Sequence, residues 1–155
     1  MSAHGATIEW SRGDQPFVDK RYSRLHRWTF DGGQIVPGSS APAGVPVPMS
    51  DPSAVDPEEA MIASLSSCHM LWFLAFAAGA GLVVDRYVDA ATGEMGRNEA
   101  GHSWLAKVTL NPVTTFSGRR PDQAELDALH HSAHAHCDMA NSVKTEIVVR
   151  ARFGD

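Results

Sequence analysis

The chain has 155 residues, of which 43% are hydrophobic and 20% are charged, a composition typical of a globular domain with a sizeable core. Its formal net charge of -5 argues against binding to nucleic acid or to a membrane surface, because both need clustered lysine and arginine. The two cysteines do not form a secreted disulfide framework, and the N-terminus lacks the features of a signal peptide, so we expect one cytoplasmic domain over residues 1–155.

Two strands are predicted near the N-terminus. Residues 7–12 alternate apolar and polar side chains, as in a half-buried strand, and turn residues follow at 13–16. A second strand is predicted over residues 22–30, with a turn at 31–33. One face of this strand carries Tyr22, Arg24, His26, Trp28 and Phe30. That face is either a core surface with charged groups at its rim or the wall of a site.

The segment over residues 37–56 is rich in proline, glycine and serine, so we expect an extended loop without regular structure. A loop of this length in a small domain usually has a role. We expect it to line a pocket or to wrap around a partner subunit.

A long helix is predicted over residues 56–81. It begins with an N-cap residue, a proline at the first helical position and two acids in the first turn, which are Asp56, Pro57, Glu58 and Glu59. Residues 60–84 carry no charge, and their apolar side chains fall on every side, which indicates a helix surrounded by protein. The segment is long enough to cross a bilayer, but its acidic flanks and its central Ser-Ser-Cys-His run favour a core helix.

The C-terminal half reads as strands, a helix and a strand. Residues 83–96 and 103–113 are predicted to form an antiparallel pair joined by a turn at 98–101. A helix is predicted to start within 121–125, and the chain ends with a strand over 144–153. The apolar side of this helix is expected to carry Leu126, Leu129, Ala133 and Cys137. The order of elements predicts an α+β fold.

Each predicted helix carries one cysteine, Cys68 or Cys137. A free cysteine is often a small buried hydrophobic residue, and this interpretation stays open for both. If the two helices pack side by side, the sulfurs can approach as closely as a disulfide requires, which in a reducing cytoplasm indicates catalysis or redox sensing. Cys68 lies about 15 Å along the helix from Glu58, so the helix dipole cannot activate its thiol. We expect a cation from a strand or from a second subunit to do so.

The second helix also carries a run of histidines. His130, His134 and Cys137 follow one another at helical spacing, so a zinc site is geometrically conceivable. No further carboxylate or cysteine stands at a recognised ligand spacing, and we therefore expect no metal. His69 and His136 adjoin the two cysteines, but neighbouring helical residues point about 100° apart, so we interpret them as wall or surface residues.

Two stretches resemble the OsmC and organic hydroperoxide reductase family. VDPEEAMIASLSSCHMLWFLAFA is similar to the central helix of that family, in which a cysteine follows the first glutamate by ten positions; here these are Cys68 and Glu58. HCDMANSVKTEIVV is similar to the second signature and contains Cys137. YSRLHRWTFDGG resembles an OsmC-like branch of the family. The resemblance covers essentially the whole chain.

The resemblance implies antiparallel sheets packed around a long buried central helix and a second cysteine-bearing helix, in an interwoven homodimer with active sites between subunits. It also implies thiol-dependent reduction of organic hydroperoxides. Cys68 would attack the peroxide and Cys137 would resolve the sulfenic acid as a disulfide. No cofactor is implied beyond an external dithiol reductant, such as a lipoylated protein.

In the family the glutamate corresponding to Glu58 orients an arginine that stabilises the thiolate. No arginine or lysine lies between Arg27 and Glu58, so we assign this role to Arg24, with Arg21 and Arg27 as alternatives. The expected substrate pocket comprises His26, Trp28, Glu59, His69 and Trp72. The alternative function is an OsmC-fold stress or ligand-binding protein whose cysteines are structural or redox-sensing.

Overall fold

The computed structural model describes residues 3–155, and the chain falls into two compact units that divide between Ala60 and Met61. The strands are β1 Ala6–Glu9, β2 His26–Phe30, β3 Ile35–Gly38, β4 Val83–Asp89, β5 Thr92–Arg97, β6 Ser103–Leu110, β7 Pro112–Ser117, β8 Glu146–Val149 and β9 Arg152–Phe153. The helices are α1 Pro57–Gly79, α2 Gln123–His136 and α3 Asp138–Asn141. The fold is α+β, as predicted.

The first unit contains the antiparallel sheet β1-β2-β3. The predicted turn at 31–33 is confirmed, since the Gly33 amide donates to the Phe30 carbonyl at 2.9 Å. Two predictions are wrong. All four residues of β1 are exposed rather than half-buried, and β2 begins at His26 rather than at residue 22. The Arg24 amide bonds to the Met49 carbonyl at 2.7 Å, so the backbone before His26 pairs with a loop and not with a strand.

Residues 39–56 form turns without a helix or strand in this fully described stretch, so the loop predicted over residues 37–56 is confirmed except at residues 37–38, which belong to β3. Ser39 anchors the loop and is 1% exposed. Its amide donates to the Val55 carbonyl at 3.0 Å, and its Oγ accepts from the Asp51 amide at 3.0 Å. The loop therefore has a defined conformation despite its irregular backbone.

The predicted start of α1 is confirmed by a reciprocal pair of hydrogen bonds. Asp56 Oδ1 accepts from the Glu59 amide at 2.8 Å, and Glu59 Oε2 accepts from the Asp56 amide at 3.1 Å. This capping box satisfies two backbone donors, one of them an N–H in the first turn of the helix. Glu59, which the sequence assigned to a substrate pocket, thus uses its carboxylate to cap the helix.

The prediction that α1 is surrounded by protein on all sides is wrong for the single chain. Its buried residues are Leu65, His69, Phe73 and Ala77, which recur every fourth position and form one stripe. Leu71, on another face, is 62% exposed. By length and composition α1 passes the test for a membrane span, a test that core helices also pass. Absence of charge therefore did not reveal which side of α1 would be covered.

The second unit contains two three-stranded sheets, β4-β7-β9 and β5-β6-β8. The turn at 98–101 joins the antiparallel pair β5 and β6, as predicted. Each of the two long strands predicted here is, however, divided into two. The break at Asn111 is stabilised by Asp89, whose Oδ1 accepts from the Asn111 amide at 2.6 Å. The predicted last strand is also divided, and β8 and β9 pair in parallel with β6 and β7.

Helix α2 begins at the predicted place, with Asp122 as its N-cap. Its apolar side packs on α1 in a core cluster whose buried members are Phe73, Ala77, Leu82, Leu126, Leu129 and Ala133. The helix ends at His136, so Cys137 does not lie within it as predicted. Cys137 instead links α2 to the short helix α3, which the sequence analysis missed.

Removing the N-cap of α1 tests this account of its start. Asp56→Ala is expected to lower the free energy of unfolding by about 1 kcal/mol, and Glu59→Ala by about 0.5 kcal/mol, because each loses one bond of the capping box. Urea unfolding followed by circular dichroism measures both changes. Glu99→Ala, in an exposed turn, is the control. Unchanged stability of Asp56→Ala would contradict the capping assignment.

Candidate functional site

The two cysteines meet in the second unit. Both thiols are free; Cys68 is half-buried on α1, and Cys137 is 1% exposed. The Cys68 thiol contributes to the raised pKa of Cys137, so the two side chains are near each other in the fold although they lie 69 positions apart along the chain.

The Cys137 thiol is held in its protonated form. Burial and, to a smaller extent, the Cys68 thiol raise its pKa to about 11, although the backbone N–H groups of Ala140 and Met139 act in the opposite direction. At neutral pH this sulfur is a thiol and not a thiolate. Its reaction as a nucleophile therefore requires the removal of a proton.

The backbone around Cys137 is fixed by several hydrogen bonds. Cys137 Sγ accepts from the Ala140 amide at 3.4 Å and so caps α3. Asn141 Nδ2 donates to the carbonyl oxygens of Cys137 and Ala135, both at 3.1 Å. The sequence analysis did not assign a role to Asn141. Its position in the second signature was the one sequence feature that could have indicated such a role. These bonds hold the Cys137 sulfur in one position.

Aromatic residues lie one helical turn beyond Cys68. Trp72 is half-buried, and its ring centroid is 5.6 Å from that of Phe76 and 5.3 Å from that of His136. Because residues four apart share a helix face, Trp72 lies beside Cys68 on α1. His136 is exposed, as the sequence analysis expected for a surface residue.

His69 and His130 form a buried pair that the sequence did not predict. They are 1% and 3% exposed, and Nε2 of His69 lies 2.9 Å from Nδ1 of His130. Their rings are nearly parallel, with centroids 5.2 Å apart. His69 is thus a core residue and does not line an open pocket, which corrects its sequence assignment. The sequence signal that could have indicated this pair is a polar residue, His69, within a mostly apolar helix.

The histidines do not assemble with Cys137. Among residues 3–155 no group of three or more histidine, cysteine or acidic side chains is arranged to hold a metal ion. His130 is bonded to His69, whereas Cys137 interacts with Cys68. The set of His130, His134 and Cys137 considered from the sequence is therefore not brought together.

Both buried imidazoles are neutral at physiological pH. Burial and, to a smaller extent, the charge of a neighbouring histidine lower the pKa of His69 to about 4 and that of His130 to about 3. Within the described chain, Nδ1 of His69 and Nε2 of His130 have no hydrogen-bond partner. Protonation of either ring would place an unpaired charge in the core.

The histidine pair predicts acid-sensitive stability. An unfolded histidine takes up a proton near pH 6.5, whereas the folded pair resists protonation until pH 4 to 3. Its contribution to stability is therefore complete above about pH 6.5 and declines as the pH falls, by on the order of 3 kcal/mol for each imidazole. Urea unfolding between pH 7.5 and pH 4 measures the decline. The variant His69→Gln/His130→Gln should lose less stability over this range, and an identical decline would contradict the assignment.

The first unit contains a separate cleft of about 440 Å³. Its lining is mainly aromatic and aliphatic, with one arginine, one histidine and two serines, and consists of Ile8, Trp10, Phe17, Tyr22, Arg24, His26, Ser39, Ser40 and Pro57. The rings of Trp10, Phe17 and Tyr22 contact one another, with centroids 4.7 Å to 6.0 Å apart. Such a lining favours an apolar ligand.

Arg24 is fixed at this cleft by its own loop. Its Nη1 donates to the carbonyl oxygens of Lys20, at 2.7 Å, and Tyr22, and its guanidinium lies 3.9 Å from the centre of the Tyr22 ring. Of the three arginines that the sequence offered, only Arg24 lines the cleft; Arg27 forms an exposed ion pair with Glu9. Within the described chain Arg24 forms no ion pair.

His26 is a structural part of the cleft. The Trp28 indole N–H can only donate, so Nε2 of His26 accepts from it at 2.6 Å, and Nδ1 then donates to the Arg24 carbonyl at 2.7 Å. Gly38 is required beside this bond, because a Cβ there would lie 2.4 Å from the indole nitrogen of Trp28. Both nitrogens of His26 are therefore occupied, which leaves none for proton transfer.

Comparison with known proteins identifies the family. The model of OsmC-like proteins matches residues 50–152, more than half of the chain, and the chain therefore belongs to the OsmC family. An OsmC-like protein of unknown function from Vibrio cholerae is 46% identical, with a TM-score of 0.96 over 98% of this chain and 100% of that chain.

More distant structures share the fold. An organic hydroperoxide resistance protein from Elizabethkingia anophelis is 17% identical, with a TM-score of 0.73 over 100% of this chain and 97% of that chain. The organic hydroperoxide resistance protein OhrB of Bacillus subtilis is 15% identical, with a TM-score of 0.62 over 99% and 98% of the two chains. No curated protein sequence matches this chain.

Proposed function

We propose that this OsmC-family protein is a cysteine-based reductase of organic hydroperoxides, with Cys68 as the peroxidatic and Cys137 as the resolving residue. The observation that carries the proposal is the proximity of two free thiols from distant parts of the chain, one of which raises the pKa of the other. Two structures with the same fold are named organic hydroperoxide resistance proteins, which adds support.

The difference between the thiols supports their separate roles. Cys68 is half-buried, so a small oxidant can reach it, whereas Cys137 is buried and has a pKa raised to about 11. The thiolate of Cys68 attacks the distal oxygen of the hydroperoxide, the O–O bond breaks, and an alcohol leaves. Cys137 then attacks the Cys68 sulfenic acid, which forms the disulfide and releases water. An external dithiol, such as a lipoylated protein, restores the thiols without any bound cofactor.

We further propose a homodimer with active sites at the subunit interface. Support comes from apolar surface that the single chain leaves uncovered, including Leu71 of α1 at 62% exposure and Ile8 of β1 at 60%. Patches of this kind mark interaction sites on soluble proteins. In the dimer Arg24 and Glu58 stabilise the thiolate. Glu58 is half-buried in the first turn of α1, and Arg24 has no ion-pair partner in the described chain.

The substrate is a hydroperoxide with an apolar alkyl group. The ring of Trp72, one helical turn beyond Cys68, supplies apolar contact surface for such a group. In the first unit His26 lines the aromatic cleft, and the Trp28 indole holds the His26 ring by a hydrogen bond. The reducing cytoplasm, where thiols persist, is the expected location of this chemistry.

Loss of the peroxidatic thiol tests the enzymatic proposal. Cys68→Ser should reduce the consumption of cumene hydroperoxide, in the presence of excess dithiol, to the uncatalysed rate, because a hydroxyl does not ionise at neutral pH. A peroxide assay with purified wild type and variant measures the effect. Equal consumption by both proteins, or none by the wild type, would remove the reductase proposal.

Loss of the resolving thiol should have a different outcome. Cys137→Ser is expected to react once with peroxide and then to accumulate sulfinic and sulfonic acid at Cys68, because no second thiol traps the sulfenic acid. Intact-protein mass spectrometry after peroxide treatment measures the added oxygen atoms. Wild type, as the matched control, should instead lose two hydrogen atoms. Equal over-oxidation of the two proteins would exclude Cys137 as the resolving residue.

A second candidate function is ligand binding without peroxide chemistry. The observation that favours it is the cleft of about 440 Å³ in the first unit, which combines three contacting aromatic rings with the guanidinium of Arg24. If the protein only binds a ligand, its cysteines are either structural core residues or sensors of the redox state. Wild-type protein that consumes no hydroperoxide would favour this function.

A further inference from the structure

The cleft of the first unit has one arginine and no acidic side chain in its lining. Arg24 is half-buried there, and the other lining residues are aromatic, aliphatic, proline, serine and His26. His26 is neutral, because one of its ring nitrogens accepts from the Trp28 indole and the other donates to a backbone carbonyl. The lining therefore combines apolar surface with a single positive charge.

Part of the Arg24 guanidinium is free to bind a ligand. A guanidinium with its side-chain nitrogen carries five N–H groups. Two of them, both on Nη1, donate to the carbonyl oxygens of Lys20 and Tyr22. Those on Nε and Nη2 donate to no group within residues 3–155, and Arg24 forms no ion pair there. Nε and Nη2 form an edge that can bind a carboxylate through two parallel hydrogen bonds.

A group of aromatic rings adjoins this guanidinium. The guanidinium lies 3.9 Å from the centre of the Tyr22 ring, which stacks on Phe17 with 4.7 Å between the centroids and 19° between the planes. The Trp10 ring packs edge-on against Tyr22, with centroids 5.3 Å apart. Aromatic groups prefer offset and edge-to-face contacts with other rings, so this lining favours a ligand that has a ring of its own. A volume of about 440 Å³ is within the range of small-molecule sites.

Hydrogen bonds hold these side chains before any ligand binds. Trp10 Nε1 donates to the Ser23 carbonyl at 2.8 Å, and Gln15 Oε1 accepts from the Ser23 amide at 2.6 Å. Both bonds close the loop between β1 and β2, which carries Phe17 and Tyr22. A cleft that is already formed loses little conformational entropy on binding, which favours affinity.

We propose that this cleft binds an aromatic monocarboxylate, whose carboxylate pairs with Arg24 and whose ring packs against the three contacting aromatic side chains. The inference deepens the second candidate function, because it names the class of ligand, and it rests on that function. Binding requires no peroxide. Since the proposed reductase uses the same guanidinium to stabilise the Cys68 thiolate, a bound carboxylate would compete with that use.

Isothermal titration calorimetry at pH 7 without peroxide tests the charge of the ligand. The probes are cinnamate and its neutral analogue cinnamamide. Wild type should bind cinnamate about 10-fold to 100-fold more tightly, because its carboxylate makes charge-assisted hydrogen bonds to the guanidinium. Arg24→Gln should lose this preference and bind cinnamamide as wild type does. Arg27→Gln, which removes an exposed arginine paired with Glu9, is the matched control and should keep the preference.

Two further variants test the ring contacts and the shape of the cation. Phe17 is 49% exposed, so Phe17→Ala leaves the core intact. This variant should weaken both probes by roughly 2-fold to 10-fold, because a ring contact is lost. Arg24→Lys keeps the charge without the planar fork and should keep only part of the preference for cinnamate. It serves as the charge variant if Arg24→Gln does not fold.

Several results would overturn the proposal. These are equal affinity of wild type for the two probes, an unchanged preference in Arg24→Gln, equal loss of both probes in the two Arg24 variants, or binding that Phe17→Ala does not weaken. Octanoate, a straight-chain carboxylate, should bind more weakly than cinnamate, and equal or tighter binding would exclude an aromatic ligand. If neither probe binds, ligand binding in this cleft is itself contradicted. Failure of the peroxide assay would leave this inference unaffected.

Discussion

The packing of α2 on α1 is the constraint on which the rest of the structure depends. Leu126 and Ala133 of α2 are fully buried in one cluster with Phe73 of α1, and this apolar contact fixes how the helices lie. The end of α2 then delivers Cys137 to Cys68, and the bonds around α3 hold it there. Two thiols that meet only through tertiary packing are the basis of the proposed chemistry.

The helix interface also separates the histidines into different environments. His130 lies in the core, 3% exposed and bonded to His69, whereas His136 is exposed and rests on Trp72. The first pair is neutral because burial disfavours its charged forms, and it supports the fold only while it stays neutral. One helix thus places its histidines both in the core and at the surface.

Several large apolar side chains are exposed in the single chain. The buried residues of α1 form one stripe, and Leu71, with 62% of its surface exposed, lies outside it. In the first unit every residue of β1 is exposed, although the strand contains an isoleucine. We propose that a second copy of the chain buries these apolar residues in a homodimer. The same homodimer would supply the cation that stabilises the Cys68 thiolate.

Several features of this protein followed from the sequence alone because they depend on neighbouring residues. The start of α1 at its N-cap, the turn at 31–33, the start of α2 and the irregular loop over residues 39–56 are all of this kind. The two signatures also pointed to the cysteine pair and to the family. Tertiary structure decided the rest: the division of the two long predicted strands, the parallel pairing of β8 with β6 and of β9 with β7, the single buried stripe of α1 and the His69–His130 bond. These features depend on which distant segments meet, because burial and strand pairing are set by partners that local sequence patterns do not specify.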